Sequence, residues 1–276
     1  MPELPEVETV KNGIAGFIGC AKIINVEIRN RQFREKIPET TESTIIGASI
    51  VGYQRIGKYI IVNLNNRQSI IWHLGMSGRI KTFERRPAKL EKHDHIIIET
   101  SEGCLIYNDP RRFGLFICTP TAKLKSAKCL CNMGIDPFDT KLDANFLKSQ
   151  LQKKKTPIKV ALLDQNIITG IGNIYASEIL YASQISPLRP ADSITRDECA
   201  RIVENTRKIL QKAIDSGGST LRDYHKPDGS LGYFQNMHCV YNKVGQKCPD
   251  CKCTDGTIQK TIQAGRSTFY CPVLQK

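Results

Sequence analysis

The sequence predicts an α+β protein: an N-terminal antiparallel β-sandwich domain led by one helix, then a C-terminal helical domain closed by a β-hairpin module. Three observations predict this. Between Ala21 and Cys118 lie six short runs rich in β-branched residues, KIINVEIR, KYIIVNL, SIIWHL, HIIIET, CLIYND and FGLFIC, with turn-forming stretches such as NNR and SEG between them. From about residue 143 the apolar period lengthens from two towards 3.6, and the lysine run at 153–155 marks the seam. The last forty residues alternate and turn instead of repeating at helical spacing.

The elements follow in order. Val7, Val10, Ile14 and Phe17 recur at helical spacing, so residues 4 to 17 are predicted to form a helix ahead of the sheets. Thr156 is the N-cap candidate of the next helix, with Pro157 at the first helical position, where its missing N–H costs nothing. A second helix opens in GNIYASEILYA. A third follows the capping box Thr195-x-x-Glu198, presents Cys199, Ile202, Val203, Ile209, Leu210 and Ala213, and stops at Gly217 and Gly218. No internal repeat or low-complexity segment interrupts this plan.

At 276 residues the chain suits two domains, each able to fold without disulfides. No basic segment with an apolar run opens it, and no stretch approaches a membrane-spanning length, so the expected compartment is the cytoplasm. A net charge of +13 and a pI near 9.2 point to a polyanionic partner, nucleic acid ahead of an anionic membrane surface. Eleven cysteines crowd towards the C-terminus, which favours reduced thiols with some bound to metal. Cys20, Cys104, Cys118 and Cys199 sit within apolar patterns and read as small buried hydrophobes. The loop in DQNIITGIGNIYASE precedes a helix start, where free backbone N–H groups favour phosphate. A plain turn between helices is the bland alternative, and the net charge with the lysine run favours phosphate. The opening MPELPEVETV is too restricted in composition for a frayed end and reads as a terminus held in place.

Eight blocks occur in order from residue 2 to residue 272: PELPEVE, HLGMSG, KHDH, NDPRRFG, GIGNIYASE, GGSTLRDY, GSLGYFQ and GRSTFYCP. With them the chain resembles the bacterial formamidopyrimidine-DNA glycosylases, the family that excises 8-oxoguanine. The resemblance implies a catalytic β-sandwich domain over 1–133. A helix-two-turns-helix domain over 134–236 follows, with a lesion-capping loop at 217–235, and a zinc-finger-type hairpin spans 237–276. It further implies a nucleoid-associated monomer that acts on damaged double-stranded DNA as a glycosylase and as a lyase that cleaves the strand by β,δ-elimination.

Site residues carry over by motif. Removal of Met1 leaves Pro2 as a secondary amine titrating near pH 8, nucleophilic towards the sugar C1′. Glu3 is the implied general acid, a role that needs its pKa raised by burial; a helix-terminus charge is the bland alternative. Lys58 matches the lysine assisting β-elimination, and Arg266 the arginine assisting the δ-step. His93, Arg111 and Lys154 match DNA-contacting positions, and His73 and Asn173 add phosphate contacts. Met76, Arg111 and Phe113 match the trio that fills the gap left by an everted nucleotide. By residue type alone, Met76 and Phe113 belong in a core. Two alternatives stand beside this reading: an oxidised-pyrimidine glycosylase of the same superfamily, and a non-catalytic binder of distorted DNA.

The closing module departs from the family pattern. Zinc is the implied cofactor, and Cys248, Cys251 and Cys271 are in place, but the fourth ligand position is Leu274, which has no lone pair to offer. Cys253, Cys239, His238 or a water are the substitutes, and a metal-free hairpin is the competing reading.

Overall fold

Helix α1 (Leu4–Ile18) opens the chain in the computed structural model, which describes residues 1–219, 227–251 and 257–276. Val7, Val10, Ile14 and Ile18 share one face of it and are buried in a single cluster with the inner faces of two sheets. The strands are β1 (Ile23–Ile28), β2 (Ile50–Ile56), β3 (Tyr59–Leu64), β4 (Gln68–His73), β5 (Arg79–Phe83), β6 (Asp94–Thr100), β7 (Cys104–Asn108) and β8 (Leu115–Pro120), with a short helix α2 (Thr41–Ile45) between β1 and β2. They form two four-stranded antiparallel sheets, ordered β1-β6-β7-β5 and β2-β3-β4-β8. This is the predicted sandwich.

The apolar runs are continuous because parts of both sheet faces are covered. In β6, Ile96 and Ile98 enter the main core while Ile97 packs with Cys104 and Ile106 in a smaller cluster against Phe83 and Leu90. Six strands coincide with the predicted runs. The other two have no long apolar run: β2 is broken by Gly52 and the adjacent Gln54 and Arg55, and β5 places Arg79 and Lys81 on either side of Ile80.

The chain divides by contact into two compact units. One comprises Met1–Cys131 with Ile214–Gln235, the other Asn132–Ala213 with Asn236–Lys276. The second unit holds α3 (Ala144–Leu151), α4 (Ile158–Leu162), α5 (Asn173–Ala182), most of α6 (Arg196–Asp215) and the hairpin β9 (Gln259–Gln263) with β10 (Arg266–Tyr270). Asp143 caps α3 by accepting from Phe146 N at 2.7 Å. Pro157 lies one step outside α4 as its capping residue, not at the first helical position; its ψ of 144° is extended. The predicted capping box of α6 is present, with Glu198 N donating to Thr195 Oγ1 at 3.2 Å and Thr195 N to Glu198 Oε2 at 2.8 Å. Helix α5 is buried on all sides from Ile174 to Tyr181, which makes it the axis of the unit.

Cys104 and Cys199 are buried as expected, and Cys118 packs beside the main core. Burial pushes these three thiols up to about 11. Cys20 departs from expectation: it is exposed, because α1 ends at Ile18 and the apolar stripe ends with it. Among the described residues, no helix is long and apolar enough to cross a membrane.

Candidate active site and metal centre

In the first unit, the sequence at the head of α1 builds a closed corner. Pro2 is buried and Glu3 is 3 % exposed. Glu3 is the N-cap residue of α1, in a reciprocal capping box with Glu6, whose Oε2 accepts from Glu3 N at 2.8 Å. The other oxygen of Glu6 accepts from Ser219 N at 2.8 Å. One buried carboxylate thus ties the terminus that carries Pro2 to the segment that enters the proposed capping loop. Gly218 makes this approach feasible: its φ is +79°, and a Cβ there would lie 3.0 Å from the Glu6 side chain.

The centre of the candidate capping loop, 220–226, lies outside the described residues. Its flanks are bonded to each other and to the sandwich. Tyr233 N donates to Ser216 O and Phe234 N to Gly218 O, both at 3.1 Å, and Pro227 O accepts from Thr82 N and Oγ1.

Lys58 sits in the tight turn between β2 and β3 and is 7 % exposed. His73, at the end of β4, accepts from Gly75 N through Nδ1 at 3.0 Å and tilts against the Tyr59 ring at 4.7 Å. Burial first, then the positive charges of Arg34 and Lys58, depress its pKa to about 4. At neutral pH it is therefore an uncharged imidazole whose Nε2 carries the proton, a hydrogen-bond donor and not a cation.

Two loops carry the gap-filling candidates. Met76 lies in the loop after β4 and Phe113 in the loop before β8, and they are 40 % and 49 % exposed. The core placement that residue type suggests is therefore not adopted. The Arg111 guanidinium stacks 4.6 Å over the Phe113 ring. Gly75 lets the loops touch: with φ +67°, a Cβ there would come within 2.6 Å of the Gly114 backbone N.

Asp109 holds both loops. Fully buried, it accepts from Ser77 Oγ at 2.8 Å, Gly114 N at 2.9 Å, Tyr107 Oη at 3.2 Å and Arg111 N at 3.3 Å. His93 is half-buried beside this cluster, with its carbonyl accepting from Asp109 N at 3.0 Å.

In the second unit, Lys154 is ion-paired to Asp164 at 2.9 Å. Burial acts to raise the Asp164 carboxyl, but the Lys154 hydrogen bond, the Asn166 backbone N–H and the Lys154 charge together outweigh it and hold the carboxyl below its ordinary range. A DNA phosphate would have to compete with that pair. Asn173 is the first residue of α5, and its side chain is engaged: Oδ1 accepts from Lys159 Nζ at 2.6 Å, while Nδ2 donates to Ser267 O at 2.9 Å and towards Tyr241 Oη at 3.4 Å. Lys159, fully buried, also donates to Ser267 O at 2.9 Å and Thr268 Oγ1 at 2.8 Å, so it joins the helix start to the hairpin that begins at Arg266. The loop ahead of α5 is braced by Gln165, which accepts from Gly170 N and donates to Ile171 O, both at 2.8 Å. Arg266 is exposed, just past the turn at Ala264 and Gly265.

The sulfurs of Cys248, Cys251 and Cys271 all lie within 4.8 Å of one another. A tetrahedral zinc with 2.3 Å bonds needs sulfurs roughly 3.8 Å apart, so the trio fits after a small contraction. Cys251 is disulfide-bonded, and coordination by three thiolates requires that bond to be reduced. Of the substitutes for a fourth ligand, Cys239 and His238 fall outside the close group, and Cys253 lies outside the described residues. Cys239 is directed instead towards Met237 O, and its backbone, with those of Val240 and Tyr241, is held by Glu178 of α5 at 2.8–3.1 Å.

Sequence reasoning missed Glu6, Asp109 and Lys159. Glu6 and Asp109 lie inside quoted blocks, and the capping-box spacing of Glu3 and Glu6 was a readable signal. Lys159 carried none, because a lysine in an amphipathic stretch reads as solvated.

A buried Pro2, exposed Met76 and Phe113 and a three-cysteine cluster are here the features of a DNA-repair glycosylase, the class that the family matches define. Residues 1–116 match the formamidopyrimidine-DNA glycosylase N-terminal domain, and residues 133–225 match the H2TH domain of the same enzymes. The chain belongs to the formamidopyrimidine-DNA glycosylase family. It is 40 % identical to the Paracoccus denitrificans formamidopyrimidine-DNA glycosylase, covering all of both chains. It is 41 % identical to that of Rickettsia massiliae, covering all of this chain and 97 % of the relative. Among solved structures, a Lactococcus lactis enzyme variant bound to Fapy-dG-containing DNA aligns over both full chains with TM-score 0.91 and 34 % identity. The wild-type Lactococcus lactis enzyme with oxidised-pyrimidine-containing DNA aligns with TM-score 0.90, again at 34 % identity over both full chains.

Proposed function

We propose that the chain is a base-excision repair DNA glycosylase and AP lyase, acting as a monomer in the cytoplasm on oxidised purines in duplex DNA. The single observation that carries the DNA reading is the exposed pair Met76 and Phe113 on loops pinned by Asp109. Apolar side chains held rigidly outward suit a wedge that occupies the space of an everted nucleotide.

In the proposed reaction, removal of Met1 converts the acylated Pro2 nitrogen into a secondary amine. Its lone pair attacks C1′ of the everted nucleotide. The C1′–N bond breaks and its electrons leave with the base, which takes up the proton that the attacking nitrogen loses. The nitrogen lone pair then opens the sugar: the C1′–O4′ bond breaks, Glu3, at 3 % exposure, protonates O4′, and a positively charged iminium forms at C1′. This electron sink acidifies C2′, whose proton is removed as the C3′–O bond breaks; a second elimination breaks the C5′–O bond. Lys58 assists the first elimination and Arg266 the second. His73, Arg111, His93 and Lys154 hold the strand, His73 through a neutral N–H and Lys154 at the cost of its pair with Asp164, and Asn173 does so through its backbone at the start of α5 because its amide is engaged inward.

Zinc is the metal proposed for Cys248, Cys251 and Cys271, where it would supply a structural cross-link for the hairpin module and no step of the chemistry. The oxidised-pyrimidine reading stays as a second possibility for substrate range, because the Lactococcus lactis relative is solved with such DNA.

Borohydride trapping on an 8-oxoguanine duplex tests the proposal. A covalent adduct is expected from the processed chain and none from Pro2→Ala; an undiminished adduct in that variant would remove Pro2 from the mechanism. Nicking of 8-oxoguanine, formamidopyrimidine and thymine glycol duplexes tests the range, and dominant thymine glycol cleavage would overturn the purine assignment.

A further inference from the structure

With Leu274 at the expected fourth position, the cysteine trio is poorer by one thiolate, and the groups that reach the remaining sulfurs matter more. Two do. Leu274 N donates to Cys271 Sγ at 3.4 Å. Tyr181, in the last turn of α5 and 2 % exposed, places its hydroxyl 3.2 Å from Cys248 Sγ. The same hydroxyl donates to Asp250 Oδ2 at 2.9 Å and accepts from Asp250 N at 3.3 Å.

A tyrosine hydroxyl has one proton, and here two groups compete for it. While Cys248 is a thiol, its own S–H can point at the Tyr181 oxygen and the Tyr181 O–H stays donated to the Asp250 carboxylate. Metal binding removes the thiol proton. The thiolate then needs a donor in a buried apolar cluster where Val240, Ile258 and Phe269 offer none from their side chains. The Tyr181 O–H is within reach of that sulfur.

We propose that Tyr181 is a positioning residue for zinc in this chain: its hydroxyl donates to the Cys248 thiolate and compensates in part for the ligand lost at Leu274. The bond also couples the module to α5, the central helix of the unit. This inference rests on the zinc reading above, and the experiment separates the two.

Reduced full-length protein is loaded with zinc or with cobalt, and Tyr181→Phe is compared with the parent chain. One equivalent of zinc is expected in the parent. Tyr181→Phe is expected to release it to a chromogenic chelator roughly 10- to 100-fold faster. The sulfur-to-cobalt charge-transfer band should move to lower energy, a shift that loss of packing alone would not produce. Equal release rates with an unmoved band would overturn the role of Tyr181 while leaving zinc in place. Less than a tenth of an equivalent in the parent would overturn both. Should Tyr181→Phe fail to fold, Asp250→Asn serves instead: a weaker competitor for the tyrosine proton should slow zinc release, and unchanged or faster release would refute the proposal.

Discussion

Replacing Lys159 by methionine removes an ammonium that has no solvent contact and leaves a side chain of similar length. The native ammonium is saturated: three N–H groups meet Asn173 Oδ1, Ser267 O and Thr268 Oγ1 at 2.6, 2.9 and 2.8 Å. Bonds to a charged donor contribute about 1.5–3 kcal/mol each, against an ammonium desolvation cost of several kcal/mol. Two of the acceptors keep other partners, since Ser267 O still accepts from Asn173 and Thr268 Oγ1 still donates to Gln263. The net loss for Lys159→Met is therefore set at about 3 kcal/mol, a fall in melting temperature of roughly 6–12 °C for a chain of this size. Freed from the lysine, Asn173 and the strand after Arg266 lose their common anchor. Affinity for an abasic-site duplex at fixed salt should drop about 10-fold, or ~1.4 kcal/mol. Calorimetry and fluorescence anisotropy read the two quantities. A variant that melts within about 1 °C of the parent and binds within about twofold would refute the anchoring role.

Two further predictions follow from the first unit. The double change Met76→Ala with Phe113→Ala should cost less than about 1 kcal/mol of stability, where a core phenylalanine alone would cost about 3–5, yet weaken binding to a lesion duplex by about 10-fold or more; denaturant titration and anisotropy distinguish a wedge from a core. His73 supplies an acid-lability prediction. Its folded pKa, depressed to about 4, lies below the ordinary value of 6.5, so the unfolded chain takes up the proton first. Stability is full above pH 6.5 and declines as pH falls towards 4, by at most about 3 kcal/mol from this group. His73→Gln should flatten that part of the curve in chemical denaturation, and an unchanged slope would count against a buried neutral His73.

How much of this was readable in the sequence depended on whether a residue's surroundings are local. The first helix, six strands and the capping box of α6 announce themselves through spacing within a few residues, and the structure has them. Strands β2 and β5 are hidden because Gly52, Gln54 and Arg55 in the one, and Arg79 and Lys81 in the other, leave no continuous apolar run. The Asp109 lattice spans Ser77 to Gly114, and the Lys159 contacts reach Thr268. No window of the sequence contains both ends of such contacts. The motifs name the candidate residues, but they do not show that Lys154 is already paired or that the Asn173 amide faces inward.

Three buried carboxylates share a task that residue type alone would not suggest. Glu6 takes the backbone N–H groups of Glu3 and Ser219, Asp109 those of Arg111 and Gly114, and Glu178 those of Cys239, Val240 and Tyr241. Each binds N–H groups of segments that lie outside regular structure or at its ends, where no neighbouring strand or helical turn would accept them. Burial raises the Glu178 pKa and the three N–H bonds pull it down, with burial the larger effect. An apolar residue of similar size would fill the same space and leave two or three buried donors unsatisfied, at about 1–3 kcal/mol each. Carboxylates at these points therefore do what extended sheet cannot: they fix the terminus, the loops that carry Met76 and Phe113, and the hairpin module at single points while leaving the chain on either side free to take an irregular path. The proposed mechanism needs such rigid points beside irregular backbone, because a nucleophile at Pro2 and a wedge at Met76 and Phe113 must hold position while DNA is distorted around them.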